Sequence, residues 1–194
     1  MRALLVAAAL AAALAAPAGA APRPAPAAGT SRQAPGLSAP ALFAKAEDAF
    51  GALKADARAQ RNHRSFMRVL DLYRAVFEKY PATRQAELSL MRAGALYTLL
   101  YRWTGQEGDL NRAQNYYQRL IQSYPRSTLV DDARIAIAYL SLDHFNNPAQ
   151  AWLRFRDVVR LSPEGDRVPE AKRQLQRLSR FAQADPPAAP AGDL

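Results

Sequence analysis

Three stretches of this chain share one pattern: YRAVFEKYP at 73–81, YQRLIQSYP at 117–125 and FRDVVRLSP at 155–163. Each opens on an aromatic ring (Tyr73, Tyr117, Phe155) and closes eight positions later on proline (Pro81, Pro125, Pro163). Val76, Leu120 and Val158 stand three residues after the ring, and Phe77, Ile121 and Val159 stand four after it. Apolar positions at i, i+3 and i+4 share one face of an α-helix. Val69, Ala113 and Ala151 lie four residues before the rings; Ser89, Ala133 and Ala171 lie eight after the prolines. Antiparallel helices approach closely where one offers a small side chain, which leaves room for a ring on its neighbour. Proline ends the helix and turns the chain into the next. One such pair cannot bury its apolar face alone, so pairs must stack on pairs.

This reasoning predicts an all-α chain of about seven antiparallel helices, near 41–58, 62–80, 84–103, 109–124, 128–144, 147–162 and 166–183. Cap residues support the starts. Asp109, after Gly105 and Gly108, is placed to cap the fourth helix. Thr128 with Asp131 three residues on has the form of a capping box. Asn147 precedes a first-turn proline, Pro148. Asp166 is the expected cap of the last helix. No alternating strand pattern is legible.

The ends have a different character. Arg2, the apolar run at 3–16, Pro17 and the small residues Ala18-Gly19-Ala20 have the order of a Sec-type signal peptide over 1–20, with cleavage expected after about Ala20. The run is shorter than the ~20 apolar residues of a membrane span, so no transmembrane span is expected in the mature form. Residues 21–40 carry Pro22, Pro24, Pro26, Pro35 and Pro40 and read as a disordered linker; 184–194, with Pro186, Pro187 and Pro190, reads as a second tether. The folded body is expected at 41–183, in the periplasm.

Cysteine is absent, which removes thiolate chemistry, disulfides and a lipid-modified cysteine from the residues given. The formal charge is +9, from 22 Arg and 4 Lys against 17 acids. The basic residues are dispersed along the helices instead of clustered, and export disfavours a nucleic-acid partner.

The small, aromatic and proline positions resemble those of the tetratricopeptide repeat. That resemblance implies an α-solenoid, a right-handed stack of helix pairs. The proline spacings, 44 residues from Pro81 to Pro125 and 38 from Pro125 to Pro163, exceed the roughly 34 of the family. The surplus falls in the 104–108 loop and in longer first helices. Tyr124-Pro125-Arg126-Ser127 with Asp131-Asp132-Ala133 is similar to repeats of outer-membrane assembly lipoproteins and of Tol–Pal coordinators. The run from Arg61 to about Leu178, roughly 60% of the chain, is similar to the helical region preceding deltaproteobacterial N-acetylmuramoyl-L-alanine amidases. Its shared features are an aromatic near Phe66, LYTLLY at 96–101, the loop at 108–110 and Pro163-Glu164-Gly165-Asp166. The chain has no room for the amidases' zinc-dependent catalytic domain and lacks the lipoproteins' cysteine. The resemblance therefore implies a periplasmic binding or scaffold module for envelope assembly or peptidoglycan maintenance, or an accessory subunit presenting or regulating a separate amidase.

No constellation for catalysis, metal or cofactor is legible. His63 and His144, the only histidines, sit at helix ends without a set of zinc ligands. Asp131 and Asp132, like Glu47 and Asp48, are adjacent and point apart on a helix, which suits a first-turn role near the helix dipole. Gly94, Gly105 and Gly108 fit no phosphate-binding spacing, and no serine has a nucleophile-elbow context. Trp103 and Trp152 read as packed. The first helices of each pair line the inner curve in the resembling superfamily. Tyr97, Tyr101 and Tyr139, with Glu87, Arg92, Arg102, Asp132 and Arg134, are therefore the expected groove for a peptide or helix of another envelope protein, with peptidoglycan as a further partner.

Overall fold

The computed structural model describes residues 36–182. The expected signal peptide, most of the linker and the tail at 184–194 lie outside them. Within them every regular element is helical: α1 (Ala39–Ala55), α2 (His63–Lys79), α3 (Arg84–Thr104), α4 (Glu107–Ser123), α5 (Val130–Tyr139), α6 (Pro148–Leu161) and α7 (Val168–Arg177). Short 3-10 turns occupy Ala59–Arg61 and Ser179–Phe181, and a π turn at Leu140–His144 extends α5. No described helix is long and apolar enough to cross a membrane.

The three aromatic-to-proline segments end in nearly the same backbone geometry. Tyr80, Tyr124 and Ser162 have φ/ψ of −132/53°, −133/60° and −136/59°. Each donates its N–H to the carbonyl four residues back, and its own carbonyl accepts from Thr83, Ser127 or Gly165. The proline that follows forbids the α conformation before it and supplies no donor. That is why three different sequences make one turn.

Helix starts follow the expected chemistry in part. Asn147 Oδ1 accepts the Gln150 N–H at 2.9 Å, with Pro148 in the first turn. Ser38, Asn62 and Thr83 cap α1, α2 and α3. The linker was expected to reach residue 40, yet α1 begins at Ala39. Pro40 sits in its first turn, where a missing N–H costs nothing. Three expected caps are not caps. Asp109 lies inside α4, buried, accepting from Thr104 Oγ1 at 2.8 Å and Arg112 at 3.1 Å, because α4 starts earlier, after the left-handed Gly105. Thr128 accepts from Arg84 instead of capping α5, and the Ser127 hydroxyl takes the Leu129 N–H. Asp166 is exposed, and α7 has no side-chain cap.

The described core forms three clusters that follow the chain. Phe50, Phe66 and Tyr73 join α1–α3; Leu90, Tyr117 and Ile137 join α3–α5; Ile135, Phe155 and Ala171 join α5–α7. The repeat-packing positions Tyr73, Ala113, Tyr117, Ala133, Ala151, Phe155 and Ala171 are all buried, while Pro81, Pro125 and Pro163 are exposed at the turns. The close approach has a specific seat. A Cβ on Gly94 would lie 2.5 Å from Cε1 of Tyr117, so α3 and α4 pack glycine against ring. Burial pushes the Tyr117 phenol up to about 12.

Candidate functional site

The first helices α1, α3, α5 and α7 carry polar side chains that reach from one to the next. Arg92 of α3 donates to Glu47 Oε1 of α1 at 3.0 Å, and Tyr73 of α2 donates to the same oxygen at 2.6 Å. At the start of α3, Glu87 accepts from Ser127 at 2.5 Å, while Arg84 reaches Ser127 at 3.2 Å and Thr128 at 3.1 Å, both before α5. Asp132 of α5 accepts from Arg167 at 2.5 Å. Tyr139 donates to Glu170 of α7 at 2.7 Å and accepts from Gln174 at 3.0 Å. Arg134 donates to Ser162 Oγ at 2.5 Å and to the Leu161 carbonyl at 3.3 Å.

Five of the eight residues expected to line the groove, Glu87, Arg92, Asp132, Arg134 and Tyr139, are thus crossbars between elements. Tyr97 and Tyr101 come together in the core cluster of α3–α5. Tyr97 stacks on Tyr116 with centroids 5.6 Å apart, and Tyr101 meets His144 edge-on at 5.3 Å. Tyr139 belongs to the next cluster, edge-on to Phe155 at 5.2 Å. Burial raises the pKa of Tyr97, and burial with the Glu170 carboxylate raises that of Tyr139. Both phenols are protonated at neutral pH, and that of Tyr139 donates to Glu170.

Arg102 has a different setting. It is exposed and makes no ion pair among the described residues. It lines a cleft of about 330 Å3 with Arg61, Gln60, Phe66, Leu99 and Trp103. Trp103 is 44% exposed, against its expected packed role. It closes α3 beside Gly105, whose positive φ of 67° turns the chain away and leaves the indole uncovered. Arg61, in the 3-10 turn before α2, also has no ion pair among the described residues. Two cations and a flat apolar ring that line one cleft can hold an anionic group that presents an apolar face. Arg61 and the crossbar partners Glu47, Ser127, Arg167 and Glu170 were not legible as site residues, since helix periodicity does not say which neighbour a side chain meets. A tryptophan two residues before a helix-ending glycine was the signal available for the cleft.

Among the described residues no group of three or more His, Cys, Asp or Glu is placed to hold a metal ion. No family model, no curated protein and no solved structure matches the chain.

Proposed function

We propose that this chain is an exported, non-catalytic binding module of the cell envelope. In this reading α1–α7 form a tetratricopeptide-like right-handed stack that scaffolds a protein partner in envelope assembly or peptidoglycan maintenance. The observation that carries it is the Trp103 cleft: an exposed indole in a cleft that Arg61 and Arg102 also line, on a helical frame where Glu87, Arg92, Asp132, Arg134 and Tyr139 tie elements together. Exposed tryptophan and arginine are the residue types that dominate protein-binding hot spots. The export signal read from residues 1–20 supplies the compartment.

The test is a photoreactive amino acid at position 103 in living cells, with one at the exposed Lys172 as control. A discrete envelope-protein adduct from position 103, weakened by replacing Arg61 and Arg102 with Ala, is the expected result. Equal adduct patterns from both positions would remove the reading. A second reading, an accessory subunit working beside a cell-wall amidase, draws on the same indole, because a flat apolar face can also stack on a sugar ring. It expects the mature chain to co-sediment with purified peptidoglycan, and Trp103→Ala to abolish this.

A further inference from the structure

The Trp103 cleft is one-sided in charge. Arg61 and Arg102 line it, and no acidic residue does. The expectation of evenly dispersed charge fails around it: residues 54–68 carry Lys54, Arg58, Arg61, Arg64 and Arg68 against one acid, Asp56. None of them, nor Arg102, forms an ion pair among the described residues. The Arg61 N–H donates to the Arg58 carbonyl at 3.1 Å, and side chains three apart in a 3-10 turn eclipse. Arg58, exposed as well, therefore projects on the same side of the turn as Arg61.

The rest of the lining is mostly apolar. Phe66 is buried, Leu99 is half-buried, and both share the cleft with the exposed indole. The one neutral amide, Gln60, has its Nε2 committed to the Lys54 carbonyl at 2.7 Å. A sugar ring carries a hydroxyl on most of its carbons and would find few partners for them here. A bilayer is met by a protruding ring or an amphipathic helix, whereas this is a hollow of about 330 Å3. An apolar side chain flanked by carboxylates satisfies both parts of the lining at once.

We infer that the cleft takes an acidic protein segment, with an apolar side chain against Trp103, Phe66 and Leu99 and flanking carboxylates on Arg61 and Arg102. Guanidinium groups offer carboxylates parallel N–H donors, and surplus positive charge steers an acidic segment to its seat. The inference rests on the proposed reading of Trp103 as a protein contact and names the chemistry of that protein.

The probe is acetyl-Glu-Glu-Phe-Glu-Glu-amide, titrated into the purified chain while the Trp103 indole N–H is followed by NMR. Trp152→Phe assigns the two indole signals. Saturable shifts are expected, with the Gln-for-Glu and the Ala-for-Phe peptides each at least about fivefold weaker. Binding should weaken severalfold between about 0.05 and 0.5 M salt, because the arginines are exposed. Arg61→Gln with Arg102→Gln is expected to weaken it at least about fivefold. Lys172→Gln with Arg173→Gln removes the same charge from exposed sites on α7 and is expected to leave it unchanged. An unmoved Trp152 signal shows that each variant keeps its fold. No saturable shift, equal binding of the Gln peptide, or undiminished binding in the Arg61–Arg102 variant would overturn the inference. So would equal loss from both pairs of substitutions, or a Trp103 response to phosphatidylglycerol vesicles or N-acetylmuramic acid in place of the peptide. A discrete adduct from position 103 in cells without binding of this peptide sinks the inference alone. Peptide binding without such an adduct sinks the scaffold reading alone.

Discussion

The turn that follows α4 and the turn that follows α6 have one backbone but different contents. In the former, Tyr124 donates its hydroxyl to the Pro81 carbonyl of the preceding turn at 2.6 Å, as Tyr80 does to Leu37 at 2.5 Å. Ser127 donates to the Glu87 carboxylate. In the latter, Ser162 replaces the tyrosine and cannot reach back, so Arg134 supplies the tie from α5. Gly165 stands where Thr83 and Ser127 stand in the other turns, and the Asp131 carboxylate occupies the space a side chain would take. Asp131 follows Pro125 as Glu87 follows Pro81, so one acidic position serves both turns, once against a hydroxyl and once against a bare backbone. The same scaffold thus tolerates a neutral tether or a charged one, provided the vacated volume is refilled.

The largest effect is expected where that volume rule is tested inside a helix pair. Gly94→Ala puts a methyl 2.5 to 2.9 Å from three ring atoms of Tyr117, and unfolding by denaturant should show a loss of about 1–3 kcal/mol. The sign is diagnostic, because alanine normally stabilises a helix interior by up to about 1 kcal/mol relative to glycine. A smaller loss is expected at the charged turn. In Gly165→Ala the methyl meets Asp131 Oδ2 at 2.6 Å and the Ser162 carbonyl at 3.0 Å, and about 1–2 kcal/mol should be lost. Much of it should return when Asp131→Ala is added, read as a double-mutant cycle. Additive losses would break the claim that the carboxylate fills the glycine's place.

At the neutral turn, Tyr124→Phe removes one hydroxyl bond and should cost about 0.5–1.5 kcal/mol, with little dependence on salt. The smallest effect belongs to Asp166. Its exposed carboxyl is held above the ordinary range, first by its hydrogen bond with Asp131 and then by the Asp131 and Asp132 charges. A carboxyl raised in the folded state stabilises at low pH, where it is protonated, and that contribution is lost as pH rises through the raised value. Asp166→Asn should therefore raise the melting temperature slightly at pH 7, and the gain over the parent should shrink as pH falls through the raised value and vanish below the usual carboxylate range. A gain independent of pH would separate the turn's chemistry from its charge.

Helix positions and the buried rings were legible because proline and the i, i+3, i+4 face act within one segment. Asn147-Pro148 marked α6 because both cap signals are local. Thr128 failed as a cap for a nonlocal reason, since Arg84 claims its hydroxyl; Asp109 failed because α4 starts two residues earlier, which leaves its carboxylate to Thr104 and Arg112. The contacts of the expected groove residues were hidden for the same reason as the Arg84–Thr128 contact. Tyr139 has the sequence of a partner-facing tyrosine, but Glu170 and Gln174 reach it from α7. Periodicity identifies the face of a helix; it does not identify what arrives there from a later helix.

The π turn at Leu140–His144 closes on the Phe145 N–H and the Leu140 carbonyl. A five-residue loop in a helix accommodates one residue more than the ordinary pitch allows. Each residue advances a helix by about 100°, so that surplus works like an added gear tooth. It sets the rotational phase in which Tyr101 finds His144 and in which Asn146, at φ 47°, starts the descent into α6. Deleting one residue there would keep the composition and the apolar pattern, yet turn everything from Phe145 onward to a new bearing.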